Sequence, residues 1–216
     1  MTTRAESIGR TSRAACLAAF LVAAACTSSA VAPLDQPDWP APNDPLARAE
    51  AAGLTPEADE FLITHTHAHL DVFVDGKRVE IPSAIGIDLN GTGIEPELMD
   101  DEVNTAYFLT SPCDSPCLSP LHTHDVFGII HTESKVANAP SFTLGQFFTE
   151  WGVRLDASCV GEYCAPEVPI QVYLDGKPFR GDDPAEIELT SHLVIAIAIG
   201  AVPGLIPENW QWGDDP

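Results

Sequence analysis

The chain has 216 residues, 32 of them acidic and 10 basic, for a formal net charge of -22. Its 45% hydrophobic content excludes wholesale disorder, which needs low hydrophobicity as well as high charge. The acidity excludes nucleic acid and anionic membrane surfaces as partners, because both demand basic patches; metal ions and other cations remain compatible.

From the N-terminus, Arg4, Arg10 and Arg13 precede an unbroken apolar run from Ala14 to Ala25. The run is too short to span a bilayer and has the form of a signal-peptide core. Ala23-Ala24-Ala25-Cys26, followed by Thr27-Ser28-Ser29, resembles a bacterial lipobox with Ala23 in the usual place of Leu. On that basis residues 1–26 are a lipoprotein-type signal peptide, Cys26 is the lipidation site, and the membrane is a partner through the lipid anchor only. The alternative is ordinary secretion, with cleavage nearby. Both put the chain in an oxidising, extracytoplasmic compartment. Cleavage removes Arg4, Arg10, Arg13 and Glu6, so the acidity belongs to the exported part.

Residues 27–58 read as a Pro-rich linker, since Pro33, Pro37, Pro40, Pro42 and Pro45 exclude packed helix or central strand. Within it a short helix is expected over Pro45–Ala52, capped by Asn43-Asp44 and stopped at Gly53. The folded domain is expected over 59–216. Alternation predicts a strand from His65 to Val74, an Asp75-Gly76 hairpin turn and a return over Lys77–Ile81. Residues 88–120 read as a long excursion with one strand at Asn104–Leu109. A strand follows at Gly128–Ser134. Leu144, Phe147, Phe148 and Trp151 share one helical face, with Gly152 as C-cap. Further strands are expected at Ile170–Leu174, after a second Asp175-Gly176 turn at Pro178–Phe179, and at His192–Gly200. The last is nearly continuous Val, Ile and Ala, so it is expected to be buried and central.

After the leader, four cysteines remain, in CDSPC and CVGEYC. Two local disulfides, Cys113–Cys117 and Cys159–Cys164, are the simplest pairing, with cross-pairing as the alternative. The element order is two hairpins flanking one helix, with DVFVDGKRVEIP echoed by IQVYLDGKPFRG. It resembles the β-grasp arrangement of ubiquitin-like sulfur carriers, in element order only; their C-terminal Gly-Gly chemistry is missing. The expected fold is therefore α+β, a small mixed sheet with one main helix. A small β-sandwich or cupin-like barrel is the alternative.

Six of the seven histidines fall in two windows, THTHAHLD and LHTHDVFGIIHTE. Alternate residues of a strand share a face, so His65, His67 and His69 form one stripe with neighbours roughly 6.5–7 Å apart. Two imidazoles so spaced can converge on a metal at about 2.0–2.1 Å per bond. His122 and His124 share a face in the same way, and His131 shares one with Glu133. Nine residues separate His122 from His131, so a bend at Gly128 is needed to unite them. Asp125 is placed to orient an imidazole through its second nitrogen, and Asp71, Asp125 or Glu133 could add a carboxylate ligand. His192 reads as a structural residue.

The strings HTHAHLDVFVDGKRVEIPSAIGI, LHTHDVFGIIHTES, FTLGQFFTEWG, VYLDGKPF and SHLVIAIAIG together resemble a family of secreted or lipid-anchored bacterial and archaeal proteins. The likeness covers roughly residues 61–200. It implies a common fold and a common cluster of His65, His67, His69, His122, His124, His131 and Glu133, and it implies no particular reaction. The cupin pattern is matched less well, since its glycine spacing is missing.

All-imidazole ligation suits Cu(II), Zn(II), Ni(II) or Fe(II). Export favours copper and zinc, and copper is expected ahead of zinc. Three functions follow: a metal-binding module, a metal-dependent oxidoreductase or hydrolase with an open coordination position, or a cell-surface interaction module without metal. A closed shell around the cluster favours the first and a pocket floor favours the second.

Overall fold

The computed structural model describes residues 1, 2, 32–61, 63–100, 102–139 and 141–212. The leader, apart from its first two residues, and Cys26 lie outside the described residues. In chain order the elements are helix α1 (Pro45–Ala51), strands β1 (Thr64–Val74), β2 (Lys77–Val79), β3 (Ile94–Leu98), β4 (Thr105–Leu109), β5 (Leu121–His122) and β6 (Ile129–Ser134), helix α2 (Leu144–Trp151), and strands β7 (Cys159–Val160), β8 (Tyr163–Cys164), β9 (Ile170–Leu174), β10 (Lys177–Pro178) and β11 (Val194–Ile199).

The fold is α+β, built on a mostly antiparallel seven-stranded sheet. The first and last long strands, β1 and β11, run parallel at its centre, with Leu70 opposite Ile195 and Val72 opposite Ile197. β9 and β10 extend the sheet beyond β11. On its other side β1 pairs with β2 near its C-terminal end and with β6 over its first half. The order β2–β1–β11–β9–β10 is the β-grasp order, with β6 and β5 added beside β1. This open sheet is neither the sandwich nor the barrel that was the alternative.

Both hairpins turn as their sequences dictate. Asp75 and Gly76 have φ of 48° and 73°, and Asp175 and Gly176 have 48° and 72°, the paired positive values of a type I′ turn. Thr143 accepts the Gln146 N–H at 3.3 Å while the Gln146 side chain accepts the Thr143 N–H at 2.9 Å, a reciprocal cap that starts α2. Gly152 ends it in the left-handed conformation. Leu144, Phe147, Phe148 and Trp151 are buried in one core with Leu70, Val72, Val74, Ile195, Ile197 and Ile199. Burial of this size is the main source of the fold's stability.

Two expectations need correction. Residues 33–58 are not a free linker: the compact unit begins at Pro33, and Leu34, Trp39, Ala49 and Leu54 pack with the main core. Trp39 meets Trp151 edge-on, and the Trp151 indole N–H donates to the Trp39 carbonyl at 3.0 Å. Proline forbids regular structure, not burial. Residues 88–120 are likewise more than one strand. β3 and β4 form a hairpin, and Ala84, Ile87, Ile94, Cys113, Cys117 and Leu118 form a second, smaller core beneath it. Both disulfides are present, Cys113–Cys117 in that core and Cys159–Cys164 clipping the β7–β8 hairpin at directly paired positions.

Candidate metal centre

Strand parity sends Ala68, Leu70, Val72 and Val74 of β1 into the core under α2, so His65, His67, His69 and Asp71 project from the opposite face. β6 pairs with β1 so that His131 lies opposite His67 and Glu133 opposite His65. β5 pairs with β6 so that His122 lies opposite His131. His67, His131 and His122 therefore form one row across three neighbouring strands. The chain reverses between β5 and β6, which is how residues nine apart come to share a face. Gly128 closes that reversal at φ 88°, and a Cβ there would come 2.3 Å from the Leu70 carbonyl oxygen. Glycine is required on both counts.

The ring nitrogens gather in two sets that share His131. In the outer set, His65 Nε2, His67 Nε2 and His131 Nδ1 form a triangle with sides of 3.0, 3.1 and 3.1 Å. In the inner set, His122 Nε2 stands 3.2 Å from His124 Nε2, and His131 completes the group within 4.8 Å. Glu133 lies at the seam, with Oε1 3.6 Å from His65 Nε2 and 3.8 Å from His122 Nε2. Its other oxygen accepts the Phe61 N–H at 3.0 Å, and the side chain is buried.

The inner pair is held from behind. His122 Nδ1 donates to the Ser119 carbonyl at 2.9 Å, and His124 Nδ1 donates to the Tyr107 carbonyl at 2.5 Å. Phe108 stacks on the His124 ring at 4.8 Å. A neutral imidazole has one N–H, and each of these rings spends it on a carbonyl, so both Nε2 atoms carry lone pairs. Protonation does not relieve the facing lone pairs at neutral pH. Burial, ahead of any neighbour, depresses His122 to about 4 and His124 to about 3. Burial and then the surrounding histidines hold His131 far below its ordinary range.

The arrangement fits a metal ion. Pairs of bonds of about 2.0–2.1 Å, at angles from square to tetrahedral, place nitrogens about 2.8–3.4 Å apart. The three outer pairs, at 3.0 to 3.1 Å, and the His122–His124 pair, at 3.2 Å, fall in that interval. The shell is nearly closed: His67, His122 and His124 are buried, while the half-buried His131 and His65, with 28% of its side chain exposed, form the rim.

Three expected members stand elsewhere. His69 shares the face of His65 and His67 but belongs to neither set. Its Nε2 donates to the Phe127 carbonyl at 3.0 Å, its Nδ1 lies 3.6 Å from Asp71, and Trp210 stacks flat on its ring at 3.8 Å. Asp125 does not orient a histidine; its carboxylate accepts the Phe127 N–H at 2.8 Å. Asp71 accepts from Arg78 Nε at 2.7 Å. His192 is exposed and stacks against Trp212, while its backbone N–H donates to the His67 carbonyl at 2.7 Å. Sequence reasoning missed the Ser119 and Tyr107 carbonyls, because a backbone acceptor leaves no mark in residue identity. It also missed Glu150, fully buried on α2 with Ser119 as the polar neighbour of its carboxyl group. Its spacing of three from Phe147 was the available signal.

Comparison of the chain with protein-family models, with curated proteins and with solved structures found no match in any of the three. Among the described residues no helix is long and apolar enough to cross a membrane. The histidine sets can hold a metal ion, and the two disulfides fit an oxidising, extracytoplasmic setting.

Proposed function

We propose that this chain is an exported, lipid-anchored protein that holds a transition metal, copper ahead of zinc, in its histidine cluster. One observation carries the metal: two buried imidazoles, each with its N–H committed to a carbonyl, face each other through lone pairs 3.2 Å apart. A cation is the species that satisfies both, and an imidazole tied to a carbonyl through its other nitrogen is the usual form of a metal-bound histidine. Copper rests on the nitrogen-rich donor set and on the order of divalent affinities, in which Cu(II) stands highest. Export and lipidation at Cys26 rest on the leader, the disulfides and the resemblance to secreted or lipid-anchored bacterial and archaeal proteins. The nearly closed shell favours holding the ion over turning over a substrate.

The second reading is a metal-dependent oxidoreductase or hydrolase. It is favoured by the 28% exposure of the His65 side chain, which leaves one side of the outer set open to solvent or substrate.

The test is metal analysis of protein purified from the extracytoplasmic fraction, with electron paramagnetic resonance for Cu(II). Bound copper or zinc, with less metal per chain in His124→Ala, is the expected result. Protein that binds neither copper nor zinc would leave the non-metal interaction module as the account.

A further inference from the structure

Granting the metal-binding reading, we propose that the cluster is a two-ion centre, with His131 as the shared ring and Glu133 as the carboxylate between the ions. The nitrogens do not merge into one five-histidine group. They separate into two sets at 4.8 Å, with only His131 in common. Two ligands of a single ion with bonds of about 2.0–2.1 Å stand at most about 4.2 Å apart. One ion therefore cannot reach all five rings as they are held, and a single-ion site would leave either His65 and His67 or His122 and His124 without a metal.

Each set has its own scaffold, which argues against one being a distorted copy of the other. His65 and His67 come from β1, and their nitrogens meet His131 Nδ1 at 3.0 and 3.1 Å. His122 and His124 are fixed by the Ser119 and Tyr107 carbonyls. The Glu133 carboxylate is buried among the rings, and Oε1 is nearly equidistant from the two sets, at 3.6 Å and 3.8 Å. A buried carboxylate without a full counter-charge is costly, and two dications on either side supply that charge. For His131 to serve both ions through its two ring nitrogens it must give up its remaining N–H proton to solvent as the second ion binds. A metal–nitrogen bond takes the place of the lost N–H bond, and no oxidation state changes.

The test uses the full chain, stripped of metal and titrated with Cu(II), in a His192→Ala background that removes the exposed histidine. The expected saturation is two copper ions per chain by metal analysis after desalting. Integrated paramagnetic resonance intensity is expected to fall well below two spins, because ions bridged at this range couple. The His65→Gln/His67→Gln and His122→Gln/His124→Gln variants are each expected to retain one ion with a full, uncoupled spin. Saturation at one ion overturns the two-ion centre and leaves the metal-binding reading standing. Two ions with full, uncoupled spin intensity also overturn it. Binding of neither copper nor, in a parallel titration, zinc sinks both. The stoichiometry and spin count of the chain with its cluster intact decide the matter even where a double variant fails to fold.

Discussion

The two faces of β1 share a backbone and nothing else. Ala68, Leu70, Val72 and Val74 on one face are completely buried beneath α2. His65, His67, His69 and Asp71 on the other face meet imidazoles, a carboxylate, a guanidinium and an indole. The first face is held by burial, which is indifferent to pH and to ions. The second is held by groups whose satisfaction depends on protons and, in our reading, on metal. The strand thus separates what makes the protein fold from what makes its site.

That separation can be broken most forcefully from the apolar side. Phe147→Ala empties a fully buried position on α2 and is expected to cost about 3–5 kcal/mol in urea unfolding. Metal bound per folded chain is expected to stay the same; a parallel loss of metal would mean that the faces are coupled.

The polar face is tested with acid. His122 titrates at about 4 in the fold against an ordinary 6.5, so the unfolded chain binds the extra proton between these values. Stability of the metal-free protein is therefore expected to be full above pH 6.5 and to fall as pH drops towards 4, by on the order of 3 kcal/mol for this ring alone. Bound metal should move that loss to lower pH, because ligand nitrogens must be unprotonated. An unfolding free energy flat from pH 7 to 4 would contradict the burial of these rings as neutral groups.

An effect of similar size and opposite pH dependence comes from Glu150, the one titratable group on α2. Burial raises Glu150 from an ordinary 4.5 to about 8. It is protonated in the fold while the unfolded chain ionises, so its contribution is intact below pH 4.5 and is lost as pH rises through about 8. The loss is on the order of 3 kcal/mol by pH 7. Glu150→Gln is expected to abolish this alkaline decline, read as the difference in unfolding free energy between pH 5 and pH 8.

Much of this was legible in the residues, because it is encoded locally. Each Asp-Gly pair specifies its hairpin, Thr143 with Gln146 and Gly152 bracket α2, and two close cysteine pairs close on themselves. The HxH windows were visible for the same reason, since strand parity is a property of neighbours in sequence. What failed was long-range. His69 has the same parity as His67, and the Phe127 carbonyl and Trp210, both far along the chain, set it apart. The pairing of His122 with His131 depends on a chain reversal that parity cannot register. β3 was hidden because four of its five residues are exposed and Pro96 lies in its middle. Trp39 and Leu34 looked like parts of a stalk because composition reports backbone restrictions and not which side chains find a core.

The outer triangle of His65, His67 and His131 has one more consequence. At any instant each of its three nitrogens either bears a hydrogen or does not, whatever the ring charges. Three corners painted in two colours always leave one side with matching ends. A closed ring of three such atoms, 3.0–3.1 Å apart, therefore cannot be fully hydrogen-bonded by any choice of tautomers. An even number of rings would have permitted a settled arrangement without outside help. The odd number builds frustration into the three rings by themselves, and a central cation removes it by giving all three corners the same role.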